Sequence, residues 1–355
     1  MRRSTIVTTV LLCALVMAQV AHADYDPLAS GQTKLLLDKR FSRFLGQAGV
    51  KLTASGGAKR KARTIALPVS GGRIDPSTGK GEVEHQGTLT FETKRKRVPL
   101  RLITVKTKHQ PLVAKVGGSQ LKVATSSRIS SARHGFSAKF VAPKLRLTAK
   151  AATRLNKKLR PKLPFEASQP LGKLVSTPQS RLVTILDQGR ATLVFDPAFL
   201  AKLDSRFVSL NPIFPAEHSG ATFTLPVAAG GAIAPSGAEG TFRSGGALEF
   251  LQLGAGQVFW QELWLDLGVR SDSAEVDVEP IPAFPGKMGR VGVLDYGLTA
   301  VATDSTARTI SISGAPLTLS AGAAATFNEA FAQGEAPAFA AGEAVGVLSF
   351  TVQGQ

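Results

Sequence analysis

Residues 33–69 read TKLLLDKRFSRFLGQAGVKLTASGGAKRKARTIALPV, and residues 191–227 read ATLVFDPAFLAKLDSRFVSLNPIFPAEHSGATFTLPV. Aligned at a shift of 158 with no gap, the two stretches share 11 of 37 positions. Leu35, Asp38, Phe41, Leu45, Pro68 and Val69 recur as Leu193, Asp196, Phe199, Leu203, Pro226 and Val227. Most shared positions are apolar residues or turn formers, the residues that a buried framework needs. The correspondence continues outward. Gly81 and Gly87 answer Gly240 and Gly246, and Leu147-Thr148-Ala149 with Asn156 answers Leu319-Ser320-Ala321 with Asn328. Phe165 and Gly172 answer Phe339 and Gly346 near the end of each copy. A period this long exceeds any solenoid unit, so the chain reads as two tandem domains, 31–180 and 189–355.

Periodicity within each copy predicts a mainly β fold, two tandem β-sandwich-like domains with about two short helices apiece. Thr64 to Val69, Gly87 to Phe91, Leu100 to Val105 and Lys144 to Thr148 alternate or form short β-rich runs. Arg101 is expected to share a strand face with Ile103 and Val105. Asp38 can cap a helix that carries Phe41 and Leu45 four apart on one side, as Asp196 can for Phe199 and Leu203. The second helix of each copy is expected over Ala149 to Leu159 and Ala321 to Phe331.

The first residues read as a targeting segment. Arg2-Arg3 precedes an apolar stretch from Ile6 to Val20, and Ala21-His22-Ala23 has the small-residue pattern of a cleavage site, so 1–23 is expected to be a signal peptide. Export to the cell envelope or medium follows as an expectation, with no transmembrane segment in the mature chain. The single cysteine, Cys13, lies in that leader and follows Leu12 rather than a small residue, against a lipid anchor. The mature chain then has no disulfide and depends on buried apolar area.

The formal net charge of +18 conceals a division. Residues 24–180 carry 32 Lys and Arg against 8 Asp and Glu, a net of +24, whereas residues 181–355 carry 9 against 17, a net of −8. Lys94-Arg95-Lys96-Arg97 falls between two strand-like runs as a hairpin tip, and Lys144 and Arg146 share a strand face. These six residues form the candidate anion-docking patch, suited to wall phosphate polymer or lipid head groups through many weak contacts. Nucleic acid is not expected as a partner, because the basic stripes lack interleaved aromatics for base stacking.

Motifs for catalysis are scarce. There is no nucleophile elbow, P-loop or H-E-x-x-H, and the mature chain has no thiol. Ser119-Gln120-Leu121-Lys122 matches S-x-x-K but follows Gly117-Gly118 and reads as the start of a strand. His85, His109, His134 and His218 are solitary, and Asp272, Glu275, Asp277 and Glu279 lack the glycine-hinged loop of a calcium site. No catalytic residue and no metal site are assigned, and the chain is expected not to be an enzyme.

The repeated grammar resembles the HtaA-like, haem-transport-associated domains of exported actinobacterial proteins. The elements that carry the resemblance are the strand and helix from Leu35 to Leu45, the Leu67-Pro68-Val69 strand, the hairpin of Gly81 to Leu89 and the strand and Ala-rich helix of Leu145 to Leu159. The resemblance implies a β-rich extracytoplasmic domain and, in the haem-binding members, a tyrosine ligand on the early helix assisted by a histidine. Here that helix position falls on Phe44 and Lys202, neither of which ligates ferric iron. Tyr25 and Tyr296 are the only tyrosines, and His85 falls at the hairpin where the family often has histidine. Tyr296 and His85 are therefore the candidate ligand-binding residues, with haem as the candidate cofactor. The leading reading is an exported, non-enzymatic binding or scaffold protein. A haem or other small-ligand carrier is its alternative.

Overall fold

The computed structural model describes residues 25–107, 112–254, 256–267, 273–279, 291–297, 300–331 and 336–355. The expected signal peptide, His109 and Asp272 lie outside the described residues, as do the side chains of Glu275, Asp277 and Glu279.

In chain order the first domain contains β1 (Asp26–Leu37), α1 (Lys39–Gln47), β2 (Lys51–Ser55), β3 (Lys59–Lys61) and β4 (Thr64–Ile74). Next come β5 (Gly81–His85), β6 (Thr88–Glu92), β7 (Arg97–Lys106), β8 (Leu112–Val116) and β9 (Ser119–Ser126). It ends with β10 (Ser130–His134), β11 (Ser137–Leu147), α2 (Ala149–Leu159) and β12 (Pro170–Ser180). The second domain begins with β13 (Val183–Phe195), α3 (Pro197–Ser205), β14 (Val208–Ile213), β15 (Glu217–Ser219) and β16 (Thr222–Ile233). It continues with β17 (Gly240–Ser244), β18 (Ala247–Gln252), β19 (Gly256–Asp266), β20 (Ser273–Glu279), β21 (Val291–Gly297), β22 (Val301–Asp304) and β23 (Thr309–Leu319). The last two elements are α4 (Ala321–Phe331) and β24 (Ala344–Gly354). The architecture is mainly β in two tandem domains of the same topology, with two helices each among the described residues.

The first sheet runs β2-β6-β7-β5-β4-β1-β12-β11-β9-β8, and β8 also pairs with β7, so its two layers are joined into a ring. The second sheet repeats this as β14-β18-β19-β17-β16-β13-β24-β23-β21-β20, joined by β19 to β20. The joining strand changes partners half-way. Val98 to Leu100 pair with β6, Ile103 to Lys106 pair with β5, and the break falls at Leu102, a leucine held at φ 46°. Glu262 takes φ 46° at the matching place in β19. The bulge flips side-chain alternation. Arg101 therefore points to solvent while Ile103 and Val105 are buried, which corrects the expected shared face.

Each ring closes over its own core. Along β1, Thr33, Leu35 and Leu37 point inward and Lys34 and Leu36 outward, the alternation of a half-buried strand. Asp38 accepts from Arg40 N at 2.7 Å to start α1, which buries Phe41 and Leu45; Asp196 accepts from Ala198 N at 2.8 Å and α3 buries Phe199 and Leu203. Beside each pair of helices an asparagine clamps a phenylalanine backbone. Asn156 holds the N–H and C=O of Phe165 at 2.7 and 2.9 Å, and Asn328 holds those of Phe339 at 2.9 and 2.8 Å. The clamped rings pack edge-on, Phe165 against Phe44 and Phe91, and Phe339 against Phe199 and Phe327.

Only Arg181 and Leu182 separate β12 from β13, and the domains touch there. The buried Asp26 carboxylate accepts from Thr184 N and Oγ1 at 3.2 and 3.0 Å, and Arg133 donates to the Gln355 carbonyl at 2.7 Å. Phe136, on the turn between β10 and β11, belongs to the apolar core of the second domain, beside Val183 and Gly354. Both α1 and α3 lie at the far ends of β1 and β13 from this junction.

Candidate functional site

A cluster of cations with no acid partner among the described residues sits where β1 enters α1. A cleft of about 550 Å³ opens there between the start of α1, Arg63 before β4, the bulge of β11 and the start of β12. Six cations line it: Lys39, Arg40, Arg63, Lys144, Arg146 and Lys173. Arg63 donates to the Leu37 carbonyl at 3.2 Å and Arg146 to the Ser168 carbonyl at 3.0 Å, so both guanidinium groups are held by main chain rather than by acids. The lone carboxylate, Asp38, is spent on the Arg40 backbone. Of the sequence-derived patch, Lys144 and Arg146 are thus brought together with four cations that sequence reading had not grouped with them.

The matching positions of the second domain carry no cation. Matching the N-caps Asp38 and Asp196 and the pairs Leu145–Gly172 and Leu317–Gly346 places Pro197, Ala198, Ala221, Thr318 and Val347 where the first domain has Lys39, Arg40, Arg63, Arg146 and Lys173. Lys144 lies in the bulge between Ala142 and Leu145 and has no one-to-one counterpart.

The other four residues of the patch form a separate feature. Thr93 to Lys96 make the turn between β6 and β7, and Lys94, Arg95 and Lys96 face Arg160 and Lys162 around a cleft of about 420 Å³. Arg97 differs from them because it pairs with Glu92 at 3.2 Å. The matching strands of the second domain, β18 and β19, pair out to Gln252 opposite Gly256, and the sequence between those two residues carries no charge.

His85 and Tyr296 lie in different domains. His85 is 4% exposed on β5. Its Nδ1 donates to the Ile103 carbonyl at 3.0 Å, and that acceptor leaves Nε2 to accept from Thr33 Oγ1 at 2.6 Å, which in turn accepts from Ser176 Oγ at 2.6 Å. Burial lowers its pKa to about 4, against the opposing effect of the Ile103 bond, so the ring is neutral near pH 7. Tyr296 on β21 is 2% exposed, and its hydroxyl has no hydrogen-bond partner among the described residues. Burial, with the Asp266 charge second, pushes the phenol well above its ordinary range.

These groups do not fit a haem iron. Tyr296 is sealed in the core and cannot readily form the phenolate, both nitrogens of His85 are engaged, and the early-helix positions are filled by other chemistry. Phe44 stacks on Phe41 and meets Phe165 edge-on; Lys202 pairs with Glu343 and donates to the Ala338 carbonyl at 3.1 Å. No cluster of three His, Cys, Asp or Glu side chains suited to a metal occurs among the described residues, and no helix there is long and apolar enough to cross a membrane.

No known family profile and no curated protein matches the chain. Solved structures do resemble it. The C-terminal domain of HtaA from Corynebacterium glutamicum aligns at 16% identity and TM-score 0.37, covering 48% of this chain and 98% of that one. The N-terminal domain of the same protein aligns at 16% identity and TM-score 0.35, covering 48% and 99%. A domain-swapped dimer of the H434A variant of that C-terminal domain aligns at 18% identity and TM-score 0.32, covering 44% and 91%. The likeness is one of fold. Each match spans about one of the two domains.

Proposed function

We propose that this chain is an exported, non-enzymatic binding or scaffold protein whose first domain docks on anionic envelope material. The observation that supports this reading is the six-cation cleft beside α1, five of whose cations have uncharged residues at the matching positions of the second domain. Clustered like charges repel one another and oppose folding. The sister domain builds the same ring and the same capped helix with proline, alanine, threonine and valine at those places, so the cations are not a requirement of the fold. Their use is on a partner. Phosphate oxygens of a wall polymer or of lipid head groups suit them, with arginine supplying paired donors and lysine point charges. The hairpin tip at Lys94, Arg95 and Lys96 adds a second contact.

Each exposed contact of this kind is worth less than about 1 kcal/mol and is screened over roughly 8–10 Å at physiological salt. Binding is therefore multivalent and salt-dependent. The test is co-sedimentation of the purified protein with phosphatidylglycerol vesicles, phosphatidylcholine vesicles and isolated cell wall across a salt series. The expected result is retention on anionic material at low salt, release at higher salt, and at least tenfold weaker retention of K144E/R146E/K173E. Retention on anionic material that ignored both salt and the triple substitution would overturn the proposal. The wall and vesicle arms separate polymer from lipid.

A further inference from the structure

A second opening in the first domain, independent of the docking cleft, has the makings of a small-ligand site. It is a bowl of about 710 Å³ whose rim runs from the Gly56 and Gly87 turns to the Gly117-Gly118 turn between β8 and β9. We propose that this bowl binds a small hydroxylated molecule carrying an oxyanion, a sugar phosphate being the type ligand.

Arg101 on β7 stands directly opposite Lys115 on β8 in the ladder, both side chains exposed. Like charges facing each other across a ladder are destabilising. Neither meets a carboxylate among the described residues; of the nearby acids, Glu82 pairs with Lys106 at 3.3 Å and Glu92 with Arg97 at 3.2 Å. A phosphate dianion between the two would neutralise both charges, with the guanidinium binding through two N–H groups and the ammonium adding a third donor. The same bowl is lined by Ser70, Gln86 and Thr88, whose side chains make no hydrogen bond among the described residues. Two hydroxyls and an amide lining the same opening as two cations supply hydrogen-bonding groups for ligand hydroxyls beside a site for the anion. The rim stays low because Gly117 and Gly118 hold φ of 57° and 84°, which strain other residues, and a Cβ on Gly118 would stand in open space.

The second domain replaces each of these five polar and charged side chains. By strand register, Ala228, Gly245 and Ala247 replace Ser70, Gln86 and Thr88, and the ladder pair becomes Gln261 opposite Glu279. Pro99 becomes Phe259. The common scaffold therefore needs none of these groups, and the anion-binding half changes sign.

Calorimetric titration of the purified protein at low ionic strength with glucose 1-phosphate, inorganic phosphate and glucose tests this. Saturable binding of glucose 1-phosphate is expected, at least threefold tighter than inorganic phosphate, with no binding of glucose. R101Q and K115E, which install the second domain's own residues at exposed sites, should each weaken it at least tenfold, and K144E/R146E should leave it within twofold. No binding of either phosphate up to about 10 mM, corresponding to less than about 3 kcal/mol, would overturn the proposal. So would binding that R101Q and K115E leave unchanged. Equal binding of inorganic phosphate and the sugar ester would remove the hydroxyl-reading role of Ser70, Gln86 and Thr88. Loss in K144E/R146E alone would move the anion to the docking cleft.

Discussion

Thr33 Oγ1 lies 2.6 Å from Nε2 of His85, joining β1 to β5 through a polar contact inside a mainly apolar ring. In the second domain the same two positions are Ala191 and Ser244, and Phe350 replaces Ser176. Phe350 packs edge-on against Phe242 at 4.8 Å. One copy fills its centre with a hydrogen-bonded chain and the other with aromatic surface, leaving Ser244 Oγ without a partner among the described residues.

The chain makes the first domain acid-sensitive. Its buried imidazole has a folded pKa of about 4, below its unfolded value of about 6.5. Between those values the unfolded state binds the extra proton, so stability falls as pH drops from about 6.5 towards 4, by up to about 3 kcal/mol. Thermal melts at pH 7.5 and 4.5 should show that loss, and H85L should flatten its slope. In NMR, an imidazole assigned to His85 that titrates above about 6 in the folded protein would contradict the buried, neutral ring.

The asparagine clamps carry a second expectation. Removing Asn156 leaves the N–H of Phe165 and its carbonyl without their side-chain partners, and unsatisfied buried groups cost about 1–3 kcal/mol. N156A should destabilise by roughly that amount, and N328A should do the same through Phe339. Denaturant titration reads both. Aspartate at either site can still accept from the backbone N–H but cannot donate to the carbonyl, so N156D should fall between wild type and N156A.

How much of this was readable in the chain differs by feature. The helices were legible because their signals are local: a capping aspartate followed by aromatic and leucine residues four apart, and Ala-rich runs starting at Ala149 and Ala321. The joined ring was not legible. It depends on a bulge at Leu102, where no glycine marks the left-handed turn, and the missed bulge is what put Arg101 on the wrong face. The cleft was half legible. Lys144 and Arg146 stand close in sequence, whereas Lys39, Arg40, Arg63 and Lys173 come from other elements and meet only through sheet closure. A signal was present in the aligned copies, where those four positions become proline, alanine, alanine and valine.

Leu102 itself supports a test. A leucine at positive φ costs roughly 1–2 kcal/mol relative to glycine, and this one is 61% exposed, so little packing is lost with its side chain. L102G should raise stability by about 1 kcal/mol, while L102A and L102V should not. Stabilisation by L102V would mean that the bulge is not left-handed in solution.

Phe136 tests whether the two domains act as one body. It is 7% exposed, is carried by the first domain, and packs in the core of the second, where Gly354 leaves room for its ring. Truncation of a buried phenylalanine costs about 3–5 kcal/mol, and here that loss falls on a domain that does not contain the residue. F136A should lower hydrogen-exchange protection at Val183, Ile185 and Val352 more than at Leu35 or Leu67, which lie in the first core. If protection dropped only around β10 and β11, the junction would be a loose contact, and docking by the basic domain would leave the acidic one free to swing. Loss centred on β13 and β24 instead makes the junction a shared core, so that anchoring the first domain also fixes the orientation of the second.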